Sequence, residues 1–317
     1  MHRKILKGLL LFNVILFLSL LFIIQKTFTP ETFKALKNLN KTYLLFSFFA
    51  LFMVHTFDNL RLYILSRALG IKYSFFYGYI ISLINTFGAT VTPAHVGGEG
   101  IAVYMLLRKG VSTHKVATIV TLKTITGAIF FLLIFPILLF QILKNPSELG
   151  KIVALFVIFL MGFIGIYFLT KKIFENDSNG NLINGFKSFL TKYIAYLRFF
   201  YKRKKASFLV ASFAGVMLYI SFLFIAAILL VAFNKNVSFI EVLEKQIGLL
   251  YAIFISPTPG GSGVGELGGF LVFSEFLDKY ELGIFVILWR FISQYLSAFL
   301  GGIIFFICII LDLKKYS

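Results

Sequence analysis

The stretch ISPTPGGSGVGELGG, residues 255–269, holds two prolines, six glycines and a single carboxylate, Glu266. Apolar sequence precedes it (GLLYAIF, 248–254) and follows it (FLVFSEF, 270–276). Pro257 and Pro259 stop a helix, because proline has no N–H to donate and disfavours α geometry in the residue before it. Gly260, Gly261, Gly263 and Gly265 permit a tight reversal without side chains. A second helix is expected to start near Glu266, with free N–H groups and a positive dipole end. Non-helical backbone at membrane depth is tolerated only when protein buries it or when it lines a wet cavity. The break is therefore expected inside the protein rather than against lipid.

The chain around it is a membrane protein by composition. Its 317 residues are 59% hydrophobic and 14% charged, against roughly 25% charged in soluble domains. One cysteine, Cys308, excludes a disulfide framework, and the four histidines show no HxxxH or HExxH spacing, so no metal site is expected. Net charge is +18, but the basic residues lie between apolar segments. That distribution fits membrane anchoring and positive-inside orientation, not nucleic-acid binding. The basic, apolar N-terminus is too long for a signal-peptide core and reads as an uncleaved span.

Full spans of about 20 apolar residues fit at 5–24, 43–64, 115–140, 152–170, 207–233 and 283–311. Two further stretches, 74–107 and 241–275, are interrupted by NTFGATVTPAHVGGEG and SPTPGGSGVGELGG. Nine lysines and arginines between 171 and 206 make that loop cytoplasmic, and the basic termini agree. Acidic 274–282 suits the outside. The 25–42 segment, with four lysines, must also lie outside and is expected to be an amphipathic helix on the outer leaflet. Residues 152–170 carry no charge and are expected to face lipid. Counting crossings makes both interrupted stretches re-entrant. The expectation is one all-α integral domain, 1–317, with six transmembrane helices and two re-entrant hairpins. It sits in the cell (plasma or inner) membrane with both termini in the cytoplasm.

The two broken stretches repeat each other. TPAHVGGEG begins at Thr92 and TPGGSGVGE at Thr258; each runs Thr-Pro, glycines, glutamate. Lys123 follows Glu99 by 24 residues, and Arg290 follows Glu266 by 24. Repeat A (about 43–140) and repeat B (about 207–311) enter from opposite faces, the pattern of an inverted-topology repeat with a site at its interface. Lys123 is about eight residues into its span, or ~12 Å, and Arg290 is similarly deep from the other side. An ion at that depth costs at least ~2.5–3.5 kcal/mol and needs a partner. Glu99–Lys123 and Glu266–Arg290 are the natural pairs, with crossed pairing equally open. These pairs could also be structural glue alone. Asp58, Asn59 and Arg61, by contrast, read as interfacial anchors at the cytoplasmic end of the second span. GVGELG matches G-x-G-x-x-G, but no strand precedes it and residue 286 is Val, so a dinucleotide site is excluded.

The paired Thr-Pro/Gly-Gly/Glu hairpins, the PTPGGSGVGE run and the later Trp289-Arg290 span resemble the lysylphosphatidylglycerol synthase transmembrane region family, over about 5–311. That is the flippase-like membrane half of the bacterial multiple peptide resistance factor. The resemblance implies movement of lipids between leaflets: aminoacylated phosphatidylglycerol in two-part relatives, polyprenyl-phosphate-linked sugars elsewhere. It also leaves room for a homodimer. No soluble aminoacyl-transferase half accompanies it in these residues, so synthesis of the lysyl-lipid is not expected.

The expected activity is thus that of a lipid flippase or scramblase, with an anionic or phosphate-linked headgroup in a polar groove between the repeats. Gly97, Gly98, Gly260 and Gly261 would bring half-helix amides close to phosphate. Lys123 and Arg290 would add charge, and Thr92 and Thr258 would complete the polar lining. Glu99 and Glu266 would neutralise the cations in the empty site or contact a cationic aminoacyl group. Pro93, Pro257 and Pro259 would break the helices. His95 is a candidate proton relay, against a simpler role capping local backbone. A proton- or ion-coupled carrier of a small soluble anion is the alternative. No Asp-rich metal motif or Ser/His/Asp spacing supports an enzyme, and no cofactor is expected.

Overall fold

The computed structural model describes residues 30–92, 95–144 and 181–316. The expected spans 5–24 and 152–170 and the breaker Pro93 lie outside the described residues. Among the described residues the chain is all helix and turn. In order these are α1 (Pro30–Lys37), α2 (Lys41–Ala68), α3 (Phe75–Thr90), α4 (Val96–Leu107), α5 (Thr113–Lys144), α6 (Asn181–Arg203), α7 (Lys205–Ala232), α8 (Phe239–Ile255), α9 (Val264–Phe273), α10 (Lys279–Arg290) and α11 (Leu296–Tyr316), with a π-helical turn at Phe291–Tyr295.

Among the described residues four helices are long and apolar enough to cross a membrane: α2, α5 over Thr113–Phe140, α7, and the continuous α10–π–α11 rod over Lys279–Lys314. They correspond to the expected 43–64, 115–140, 207–233 and 283–311. The 28 residues of α2 span ~42 Å, more than a bilayer's hydrocarbon core requires. Asn40 starts this helix by accepting from the amides of Thr42 and Tyr43, two donors with no intrahelical partner. Large exposed side chains such as Phe49, Leu132, Phe213 and Phe299 stud these rods, as lipid-facing helix surfaces require.

Both interrupted stretches fold as antiparallel helical hairpins. In the first, Tyr77 near the start of α3 donates its hydroxyl to Met105 O near the end of α4, at 3.0 Å. At the other end, a Cβ on Gly88 would stand 2.7 Å from Gly97 O, so only glycine lets the two backbones meet there. In the second, Lys245 on α8 pairs with Glu275 just past α9 at 2.6 Å, and Gly268 lies against Leu249 midway. Each hairpin packs on the long helix of the other repeat. Gly301 of α11 closes onto Leu83 O of α3, while Tyr251 of α8 donates to Phe131 O of α5 at 2.5 Å. Among the described residues the buried apolar side chains form one cluster around Leu62, Ile81 and Met105, another around Phe273, Phe285 and Trp289, and a small third at Phe130, Leu223 and Leu250 beside the α5–α8 contact.

Two sequence expectations change in detail. The basic stretch 171–206 is not loop throughout, because Asn181–Arg203 is helical. Tyr193 of this helix donates to Thr121 Oγ1 of α5 at 3.0 Å. The amphipathic helix expected within 25–42 is the short α1, whose buried Thr32 donates to Tyr280 O at 2.9 Å. Nearby, Lys235 pairs with Glu281 at 2.7 Å and Asp278 at 3.4 Å. Partial burial works against the Lys235 charge, but Glu281 and Asp278 outweigh it and hold its pKa above the usual lysine value.

Candidate functional site

The break in the second hairpin runs from Ser256 to Gly263. Thr258 is folded inward: its hydroxyl meets Ser256 Oγ at 2.7 Å and donates to Ser262 O at 2.8 Å. Gly260, Gly261 and Gly263 take φ of 60°, 65° and 82°, a region other L-residues rarely enter. Helix α9 then begins, and Glu266 occupies its third position. One carboxylate oxygen of Glu266 accepts from Gly263 N at 2.5 Å. The other accepts from Arg290 Nε at 2.8 Å and from the Tyr295 hydroxyl. Arg290 also donates through Nη2 to Gly260 O at 3.1 Å. Glu266 and Arg290 are 0% and 1% exposed. The amides expected to be open to a ligand at the start of α9 are thus largely engaged, by Glu266 itself and by Gly261 O, which takes the Gly265 amide at 2.8 Å.

Helical spacing and the π turn together explain why three side chains of one rod reach this point. Gln294, four residues after Arg290, shares its face as in any α-helix, and the extra residue of the π turn lets Tyr295 reach the hairpin as well. Gln294 Nε2 donates to Gly260 O at 3.0 Å and to Thr90 Oγ1 at 3.1 Å. Thr90 is the last residue of α3. A Cβ on Gly260 would fall 2.9 Å from Thr90 O, so the tips of the two hairpins touch.

The first hairpin uses its threonine in the same way. Thr92 Oγ1 donates to Gly88 O and accepts from Gly97 N, both at 2.7 Å, tying the end of α3 to the start of α4. His95 takes φ 59° and stacks on Phe254 of the other hairpin, 5.0 Å between centroids; its Nδ1 is buried without a partner among the described residues. Lys123 Nζ lies 3.7 Å from Glu99 Oε1, inside its own repeat as in the other half. Crossed pairing does not occur among the described residues.

Lys123 has a nearer acid, however. Its Nζ is 3.4 Å from Asp58 Oδ1, which also accepts from Arg61 Nη2 at 2.7 Å. Oriented to suit its neighbours, the Asn85 amide accepts from Lys123 Nζ at 3.2 Å and donates to Gly98 O at 2.5 Å. Asp58, Asn59 and Arg61 are therefore not interfacial anchors: all three are buried. The expectation went astray because α2 continues to Ala68 rather than stopping near 64. Asp58 sits about ten residues, or ~15 Å, inside the helix end. A signal was present, since Leu51, His55, Asp58, Leu62 and Leu65 form one buried face at helical spacing. His55 belongs to that face too, its ring nitrogens bonded to Ser82 Oγ at 2.9 Å and Ser297 Oγ at 2.7 Å.

The arrangement is two ion clusters either side of touching hairpin tips: Asp58–Arg61–Lys123–Glu99 in one repeat, Glu266–Arg290–Tyr295 in the other. Within the first cluster, Glu99 stands apart with 35% of its side chain exposed, against 0–9% for Lys123, Asp58 and Arg61. Its Oε2 also lacks a partner among the described residues.

This chain is 26% identical over 307 residues to a UPF0104 membrane protein of Archaeoglobus fulgidus, covering 89% of this chain and 91% of that one. Residues 5–301 match the family model described as the lysylphosphatidylglycerol synthase TM region. The match takes in both hairpins and all the ionised residues above, and the chain belongs to the lysylphosphatidylglycerol synthase TM region family.

Proposed function

We propose that this protein is a flippase- or scramblase-like lipid transporter, not an enzyme, and that the interface of its two hairpins carries an anionic or phosphate-linked headgroup across the bilayer. Six spans and two re-entrant hairpins in an inverted repeat, with cytoplasmic termini, form the frame of this reading. The observation that carries it is the contact of hairpin tips at Thr90, Gly260 and Gln294, with buried ions on both sides. Intramembrane ions this expensive are functional by default.

Lys123 and Arg290 supply the positive charge. In the unloaded state their acids neutralise them, and Glu266 also holds the Gly263 amide. A phosphate arriving at the tips competes with Glu99 and Glu266 for the same cations and amides, since all are oxyanion ligands. Exchange of partners loosens the tips and shifts the balance between inward- and outward-open states. Glu99, the exposed member, is where the exchange begins.

The test is reconstitution into vesicles with labelled phosphatidylglycerol, following leaflet-selective quenching. Wild type accelerates exchange of the label, and Arg290→Lys, which keeps charge but not the fork of donors, slows it. Equal rates for wild type, Arg290→Lys and Glu99→Gln would remove the proposed path. Saturable uptake of a water-soluble anion without lipid movement would favour a soluble-anion carrier instead.

A further inference from the structure

Away from the hairpins, a cavity of about 580 Å³ lies between α6 and the corner where α2 ends and α5 begins. Its volume falls within the ~300–1,000 Å³ typical of small-ligand sites. Ala68 and Leu69 from the end of α2 and Ala195 and Phe199 from α6 give it apolar walls, while Lys192 and His114 add polar groups. The wall is built, not incidental. The His114 ring stacks on Tyr196 at 5.5 Å and 17°. Lys115 Nζ stands 5.8 Å from the centre of the same ring and donates to Leu69 O at 3.5 Å. The Tyr193–Thr121 bond fixes the facing helix.

The charge is one-sided. From Asn181 to Lys205 the chain carries seven lysines and arginines and no aspartate or glutamate. Its helix is amphipathic, with exposed Lys192 and Arg198 alternating with apolar residues along it. Such a helix lies in the headgroup plane, attracted to anionic lipid. An apolar-walled cavity with a cationic rim at that depth suits one molecule with both an acyl chain and an anionic head.

We propose that this cavity is a second lipid site, separate from the hairpin interface, holding one anionic glycerophospholipid. Its phosphate is met by Lys192 and His114, and its acyl chain runs along Leu69, Ala195 and Phe199. It retains a lipid at the basic face rather than passing it across.

Native mass spectrometry of the full chain, titrated with phosphatidylglycerol or with phosphatidylcholine of the same acyl chains, tests this. Wild type retains one more phosphatidylglycerol than Lys192→Glu, and Lys192→Ala weakens that binding about fivefold, the scale of one lysine at an anionic surface. Lys192→Arg restores it. Lys192 is exposed, so thermal melting should match wild type in all three variants. The proposal fails if Lys192→Glu and Lys192→Ala retain as much phosphatidylglycerol as wild type. It fails equally if phosphatidylcholine binds as tightly, or if millimolar inorganic phosphate displaces the lipid, since the acyl chain would then contribute nothing.

Discussion

The two ion clusters start from one sequence pattern and finish differently. Each has a Thr-Pro-glycine break, a glutamate, and a cation 24 residues later. In repeat B the glutamate is fully buried and held by an arginine, a tyrosine and a backbone amide. In repeat A the glutamate is partly exposed, 3.7 Å from a lysine that sits closer to Asp58. The difference comes from neighbours outside the repeated motif. Helix α2 brings Asp58 and Arg61 into cluster A, whereas α7, its counterpart, has no ionised residue beyond Lys205 in its first turn. The π turn supplies Tyr295 to cluster B. The lesson is that repeat B has one well-satisfied pairing, while repeat A has two acids sharing a lysine and hence two ways to pair it.

That contrast can be broken at several points. Arg290→Ala should have the largest effect, abolishing lipid exchange and destabilising the protein by about 3–5 kcal/mol, because Glu266 is left buried and uncompensated. Thermal melting and quenching assays read the two effects separately. Asp58→Asn should cost about 3 kcal/mol on the same grounds, and Lys123 should then turn fully to Glu99. Retained exchange with lowered stability would assign Asp58 to structure alone. Gly265→Ala places a Cβ 2.6 Å from Arg290 Cζ, and the overpacking should cost about 1–3 kcal/mol. Glu99→Gln should change stability by less than about 1 kcal/mol, the scale of a weak pair, because Lys123 keeps Asp58 at 3.4 Å, yet slow exchange more than its stability suggests. Gly100→Ala is the sharpening control. Nothing lies within 4 Å of the added methyl, so helix propensity alone should stabilise α4 by about 0.5–1 kcal/mol.

Much of this was legible in order of appearance along the chain. Long apolar runs announced α2, α5, α7 and the α10–α11 rod, since only hydrophobic length is needed to read a span. Pro257, Pro259 and the glycines marked the second break, and the equal spacing singled out Glu99, Lys123, Glu266 and Arg290 while leaving within-repeat and crossed pairing equally open; the structure chose pairing within each repeat. Asp58 and Arg61 were misplaced because a polar pair near a helix end looks the same in sequence whether it faces headgroups or core. Its setting depends on four more residues of helix and on what packs alongside. Gln294 could have been read from its i+4 spacing to Arg290, but Tyr295 could not: a regular α-helix turns an i+5 residue away from Arg290, and the π turn that brings it back leaves no composition signal.

Residue order alone established that this is a helical membrane protein, where its helices break, and that Glu99, Lys123, Glu266 and Arg290 are buried ions in need of partners. Those features follow from local chemistry: proline and glycine geometry, hydrophobic length, and the cost of an unpaired ion. The packing of the helices settled the rest: the hairpin tips meet at Thr90 and Gly260, each glutamate pairs inside its own repeat, Asp58 joins Lys123, and Glu99 stays partly exposed while Glu266 is closed off. These are relations between segments far apart in the chain, set by how whole helices pack rather than by any residue's own preference.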